Sequence, residues 1–100
     1  MADKFARAKA EAVVTWQVKR CKTYGEAYTL AVEQLALWQK AVTQGPAERV
    51  PHAEAMRSCW GTVLDDLRDI AHAWDPQKNG GSDFESASYQ WVEPHWVWWD

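Results

Sequence analysis

Four of the chain's eight tryptophans crowd into ten residues: Trp91, Trp96, Trp98 and Trp99, in a chain of 100. What an indole does best is bind, being large, flat and apolar with a single N–H at its edge. Each offers about 150–250 Å², so four together present roughly 600–1,000 Å². A monomer usually tolerates an exposed apolar patch of only about 300–600 Å². The segment must therefore fold back over its own chain or anchor a partner. Trp and Tyr dominate the energetics of protein interfaces, which makes Trp91, Trp96, Trp98 and Trp99 candidate partner-binding anchors. Stacking on single-stranded nucleic acid is another use of such a row, but it needs cations interleaved with the rings. From Ser82 to Asp100 there is no Lys or Arg, and there are four acids, Asp83, Glu85, Glu93 and Asp100. Phosphate would be repelled, so direct nucleic-acid binding is not expected.

A second cluster is acidic: Asp65, Asp66, Asp69 and Asp75, partly offset by Arg68. A solvated helix face is the plainest account. The sharper one makes Asp65 and Asp69 an electrostatic guide for a partner that would otherwise hold nucleic acid. These aspartates lack the D-x-D-x-D-G loop of a calcium site. Nucleophilic chemistry would need Cys21 or Cys59 beside a His and an orienting group. Arg20 and Lys22 flank Cys21 and would lower its pKa, but nothing else assembles a site around it. Cys59 reads as core. The three histidines, His52, His72 and His95, are scattered, and no CxxC or HxxxH pair is present to hold zinc. The residues give no catalytic, cofactor or metal signature, and the expectation is a protein that is not an enzyme and takes no cofactor.

Three helices would have to position these residues. The first spans about residues 3–22, Ala-rich and free of Pro and Gly. Phe5, Ala12 and Trp16 share one face of it. Ala6, Ala10, Val14 and Cys21 form a second stripe well around from the first, and a helix apolar on two sides is either sandwiched or used in association. The second helix opens on Thr23-Tyr24-Gly25-Glu26, the S/T-x-x-E capping box. Tyr24, Tyr28, Ala31, Leu35, Trp38 and Val42 follow at i, i+3/i+4 spacing. Gly45-Pro46 reads as a C′ glycine and a proline stop. The third helix starts near Pro51 and carries a seam of Met56, Trp60, Val63, Leu67, Ile70 and Trp74, with Asp65, Asp69 and His72 facing away. Gly61 inside it marks a close approach or a kink, and Asp75-Pro76 ends it. Trp16, Trp38 and Trp60, one per helix, suggest three indoles converging on one core. That core would be Trp16, Leu35, Trp38, Met56, Trp60, Val63, Leu67, Ile70 and Trp74.

Gln77-Lys78-Asn79-Gly80-Gly81-Ser82 has linker composition. The expected organisation is a bundle over 1–76, a flexible linker over 77–86 and the Trp-rich tail over 87–100, in a single domain. Aromatic and β-branched residues on either side of Glu93-Pro94-His95 have the pattern of a short β-hairpin. The fold expected is all-α: a three-helix bundle of mostly antiparallel helices with the tail packed across it. The connection between the second and third helices has two prolines and about seven residues, too long for a DNA-binding helix-turn-helix.

Charge is split along the chain. Residues 1–24 hold six bases against two acids, and the remainder five bases against twelve acids, which together give the net −3. The first twelve residues alternate Ala with charge and hold no apolar run, and no stretch approaches the roughly 20 apolar residues of a membrane span. A cytoplasmic protein is expected. Small size, surplus aromatic surface and split charge suit stoichiometric protein–protein binding. An inhibitor or adaptor of a larger complex is the type, for example a phage or mobile-element protein acting on a nucleic-acid-processing or defence assembly. Two alternatives stand beside it. One is a homo-oligomer formed through the stripe Ala10, Val14 and Cys21 of the first helix. The other is a nucleic-acid accessory protein using that helix's basic residues.

Overall fold

The structure, a computed structural model, describes residues 4–78 and 80–90; Trp91, Trp96, Trp98 and Trp99, and with them the expected hairpin, lie outside the described residues. The chain is all-α there: α1 (Lys4–Lys19), α2 (Tyr24–Gln44), a 3₁₀ turn (Ala47–Arg49) and α3 (Val50–His72). The organising helix is α3. Both α1 and α2 pack on it, and they barely touch each other. At one end of the antiparallel α2–α3 pair the Tyr24 and Trp74 rings lie 5.4 Å apart, and at the other the Trp38 and His52 rings lie 5.4 Å apart.

Local sequence explains the ends. Thr23 caps α2 by accepting from the Glu26 N–H at 3.1 Å, while the Glu26 carboxylate accepts from the Lys22 N–H at 2.8 Å. The capping box is thus present with its return arm one residue early. The last turn of α1 tightens into i→i−3 bonds, Arg20 N–H to Gln17 O and Cys21 N–H to Val18 O, which satisfies carbonyls left over at a helix end. Gly45 is extended, at φ −82° and ψ 168°, and is not the left-handed C′ glycine expected. The reason is Pro46, whose ring disfavours helical backbone in the residue before it. Gly61 makes no close approach either, since a Cβ there would meet nothing within 4 Å.

The core sits along α3, with Ala53, Met56, Cys59, Trp60, Val63, Leu64 and Leu67 buried. Against them α1 places Ala10, Val14 and Val18, all fully buried, and α2 places Ala27 and Ala31. Small residues on the flanking helices let backbones approach closely around Trp60, the largest fully buried side chain among the described residues. Among the described residues its indole N–H finds no acceptor, so its contribution there is volume and apolar area. Of the expected core, Met56, Trp60, Val63 and Leu67 are buried, while Leu35, Trp38, Ile70 and Trp74 are partly so. Trp16 is the outright correction: it is 60% exposed. At 100° per residue it lies opposite Ala10, Val14 and Val18, and that narrow Ala/Val stripe is what fits against α3. The stripe offered above for self-association is thus occupied within the chain at Ala10 and Val14.

After α3 the chain turns back. Gly80 and Gly81 have φ of +84° and +86°, backbone that costs glycine nothing and other residues about 1 kcal/mol or more. Residues 82–89 then return as a strap over the start of α2. The Tyr24 N–H donates to Ala87 O, the Tyr89 N–H to Lys22 O and the Gly25 N–H to Glu85 O, with an antiparallel bridge between Thr23 and Ser88. Phe84 and Glu85, in the stretch expected to be a flexible linker, are part of this strap. It supplies acceptors for two N–H groups that any helix start leaves over.

Candidate protein-binding surface

An aromatic cluster fixes the strap. Tyr24 lies at its centre, with ring centroids 5.4 Å from Trp74, 5.3 Å from Phe84 and 5.2 Å from Tyr89. The Trp74 indole donates to the Ser82 carbonyl at 2.9 Å. Edge and tilted ring pairs of this kind are worth about 0.5–1.5 kcal/mol each beyond their burial. Asp83 holds the strap's turn by accepting from the Ser86 N–H at 3.0 Å, and the hydrogen bonds to Ser86 keep its carboxyl below the usual range.

Between the strap, the first half of α2 and the end of α3 lies an open groove of about 1240 Å³. Tyr28, Leu30 and Phe84 supply apolar lining, and Arg68 and His72 contribute from α3. Glu26, Glu33 and Glu85 line it as well, so carboxylates outnumber cations along it. Arg68 points its Nε toward the Tyr28 hydroxyl at a long 3.5 Å. That contact, with Asp65 behind it, raises the guanidinium pKa further. Grooves of this volume exceed the usual small-ligand range of about 300–1,000 Å³ and suit a segment of another chain.

The four aspartates read as one acidic face divide by environment. Asp65 and Asp69 are exposed one turn apart on α3, beside Arg68 and His72. Asp66 is half-buried and lies near Tyr89, whose hydroxyl is held protonated, first by burial and then by Cys21, Tyr24 and Asp66. Asp75 accepts from the Gln77 N–H at 3.0 Å and is a turn residue. Asp65 and Asp69 thus stand on α3 next in sequence or one turn from Arg68 and His72, which line the groove, without lining it themselves, and Asp66 lies close to Tyr89.

Neither thiol is activated. Burial pushes Cys59 from 9.0 up to about 11, with Arg7 pulling the other way and Glu11 adding to the rise. Cys21 is raised by burial and by Glu26, against the lowering expected from Arg20 and Lys22, and its thiol points at the Gln17 carbonyl. His52 stacks edge-on against Trp38. Among the described residues no group of three or more His, Cys, Asp or Glu is placed to hold a metal ion, and no helix is long and apolar enough to cross a membrane.

Large apolar side chains also stand in solvent: Phe5 at 88% exposure and Trp16 on α1, Val32 at 42% and Leu37 at 56% on α2. The Arg20 guanidinium covers part of Trp16, 4.6 Å from the ring centroid. The groove was not foreseen from sequence. Its residues come from three segments, and the one available signal was Phe84, an aromatic set in a polar run directly after a turn-forming Asp. No protein-family model, curated protein or solved structure matches the chain.

Proposed function

We propose that this chain works by stoichiometric protein–protein binding, as a non-enzymatic inhibitor or adaptor of a larger complex. The observation that supports this most directly is the groove between α2, α3 and the strap, lined by Tyr28, Leu30 and Phe84 and by the carboxylates of Glu26, Glu33 and Glu85. A partner segment suited to it carries an apolar side chain for Tyr28, Leu30 and Phe84 and cations for Glu33, Glu85, Asp65 and Asp69. Basic segments of this kind are common on proteins that handle nucleic acid, which fits an inhibitor of a nucleic-acid-processing or defence assembly. Opposed charge of this sort sets partner choice and association rate more than affinity. The indoles of Trp91, Trp96, Trp98 and Trp99 are the proposed affinity anchors, in line with their dominance at interface hot spots. A cytoplasmic site of action accords with this reading.

The test is capture from native lysate by the folded full chain, compared with Asp65→Lys/Asp69→Lys and with Trp98→Ala/Trp99→Ala. Expected is one protein retained in stoichiometric amount, lost to the tryptophan double variant and captured more slowly and with altered salt dependence by the aspartate one. Retention indifferent to both variants, or no stoichiometric capture, would sink the proposal.

A further inference from the structure

The outer half of α1 has what the groove asks of an occupant. Lys9, Ala12, Trp16, Lys19 and Arg20 are exposed there, and at 100° per residue all lie within about 60° of Trp16. Arg20 rests 4.6 Å from the Trp16 ring centroid, so indole and cation arrive together. Glu11, the sole carboxylate in residues 4–22, lies more than a third of a turn away and is paired with Arg7 at 3.0 Å. The groove offers the complement: Tyr28, Leu30 and Phe84 beside three carboxylates and a single guanidinium, Arg68. That guanidinium is turned to the Tyr28 hydroxyl with Asp65 near it. We propose that this groove, on the reading that it is the partner site, is held in the partner's absence by the outer half of α1 from a second copy of the chain. Self-association then regulates the site, and an outside partner binds by displacing the second copy.

Charge, spacing and size support that occupant. Two α1 faces set cations against cations, and two grooves set carboxylates against carboxylates. Of these pairings only α1 against groove brings opposite signs together, which is what selects one partner surface over another. Spacing agrees when the incoming α1 runs antiparallel to α2. With Trp16 level with Leu30, Arg20 falls level with Glu26, each four residues or about 6 Å along its helix. Lys9 then stands about one turn beyond Glu33, a gap that two long side chains close. The contact from Lys9 to Arg20 runs about 16–17 Å along a helix about 10–12 Å across, a footprint on the order of 200 Å². A stable dimer buries about 800 Å² per partner. The self-contact is therefore weak and led by charge. It forms at high concentration and yields to a partner that brings further anchors of its own.

The experiment uses the full chain, purified and alone. In low salt, sedimentation should give an average mass that rises about 1.5-fold or more above the monomer's 11.5 kDa between about 10 µM and about 1 mM. It should fall back in about 1 M salt, where charges are screened beyond about 3 Å. Two variants separate the surfaces: Trp16→Glu/Arg20→Glu on α1, and Glu33→Lys/Glu85→Lys in the groove, all at exposed positions. Each, with helix content unchanged by circular dichroism, should stay monomeric alone. Mixed, they should associate, because each supplies the surface that the other lacks. With the α1 variant isotope-enriched, amide signals should shift at residues 28–33 and 84–86 and not along its α1. With the groove variant enriched, they should shift along residues 9–20 and not in its groove. A wild-type mass constant over that range, a mixture without shifts, or shifts at the same surface in both variants would overturn the inference. Constant mass with lysate capture intact removes the second copy and leaves the proposed function. Self-association without capture does the reverse, leaving the second copy as the groove's occupant.

Discussion

The two faces of α1 differ less in hydrophobicity than in size. The inner face is Ala10, Val14 and Val18, three small side chains at zero exposure. The outer face carries Trp16, one of the largest side chains of the chain, in solvent at 60%. Burial here follows fit to a neighbour. The groove alongside Trp60 accepts a ridge of Ala and Val, and an indole on that side would hold α1 away from α3. Transfer free energy alone, at about 25 cal/mol per Å², would have turned the helix the other way round.

The largest test of that difference is a charge placed on each face. Val14→Asp puts a carboxylate into a core that holds no buried polar residue among the described residues and should cost about 3 kcal/mol or more. Ala12→Asp, half a turn away, should stay within about 0.5 kcal/mol. Urea unfolding followed by circular dichroism reads both, and similar costs for the two would break the comparison.

The two thiols extend the contrast. Cys59, enclosed between α1 and α3, has a folded pKa of about 11 against 9.0 when unfolded. A group whose neutral form is favoured by folding contributes fully below its unfolded pKa and loses that contribution as pH rises. Stability should therefore hold to about pH 8.5 and fall by about 2 kcal/mol between pH 9 and 11. Tyr89, also raised, adds in the same direction. Cys59→Ala should flatten much of this decline; a decline of unchanged size would remove Cys59 as its cause.

Glycines sharpen the inside–outside distinction at smaller scale. A Cβ on Gly25 would stand 2.9 Å from the Glu85 carbonyl oxygen of the strap. Gly25→Ala should cost about 1–2 kcal/mol, with faster amide exchange at Tyr24 and Tyr89. Gly61→Ala, in a helix with open space at that Cβ, should gain up to about 1 kcal/mol. A loss at residue 61 would point to a constraint on α3 that its surroundings do not show.

What was legible in the sequence was what is decided within a few residues. The Thr23–Glu26 cap, the Met56–Trp60–Val63–Leu67 seam and the outward turn of Asp65 and Asp69 all follow from spacing along one helix. Periodicity also showed that α1 is apolar on two sides, but it could not say which side meets α3. That choice rests on the shape of a surface built from another part of the chain. The strap was hidden for a similar reason. Phe84 and Glu85 sit in a run of Asp, Glu and Ser whose composition reads as linker, and only the Tyr24 ring and the Gly25 N–H make them structural. The groove inherits that invisibility, since the strap forms one of its walls.

Because the strap completes the start of α2, an early helix waits on late residues. Tyr24 and Gly25 leave the ribosome well before Glu85 and Ala87 exist. At about 5–20 residues per second the interval is several seconds. During it α2 holds only the half of its cap that Thr23 and Glu26 provide, and Tyr24 lacks the rings of Trp74, Phe84 and Tyr89. The nascent chain therefore has a window in which the start of its second helix is held by local bonds alone, and a stretch encoded about sixty residues later closes it.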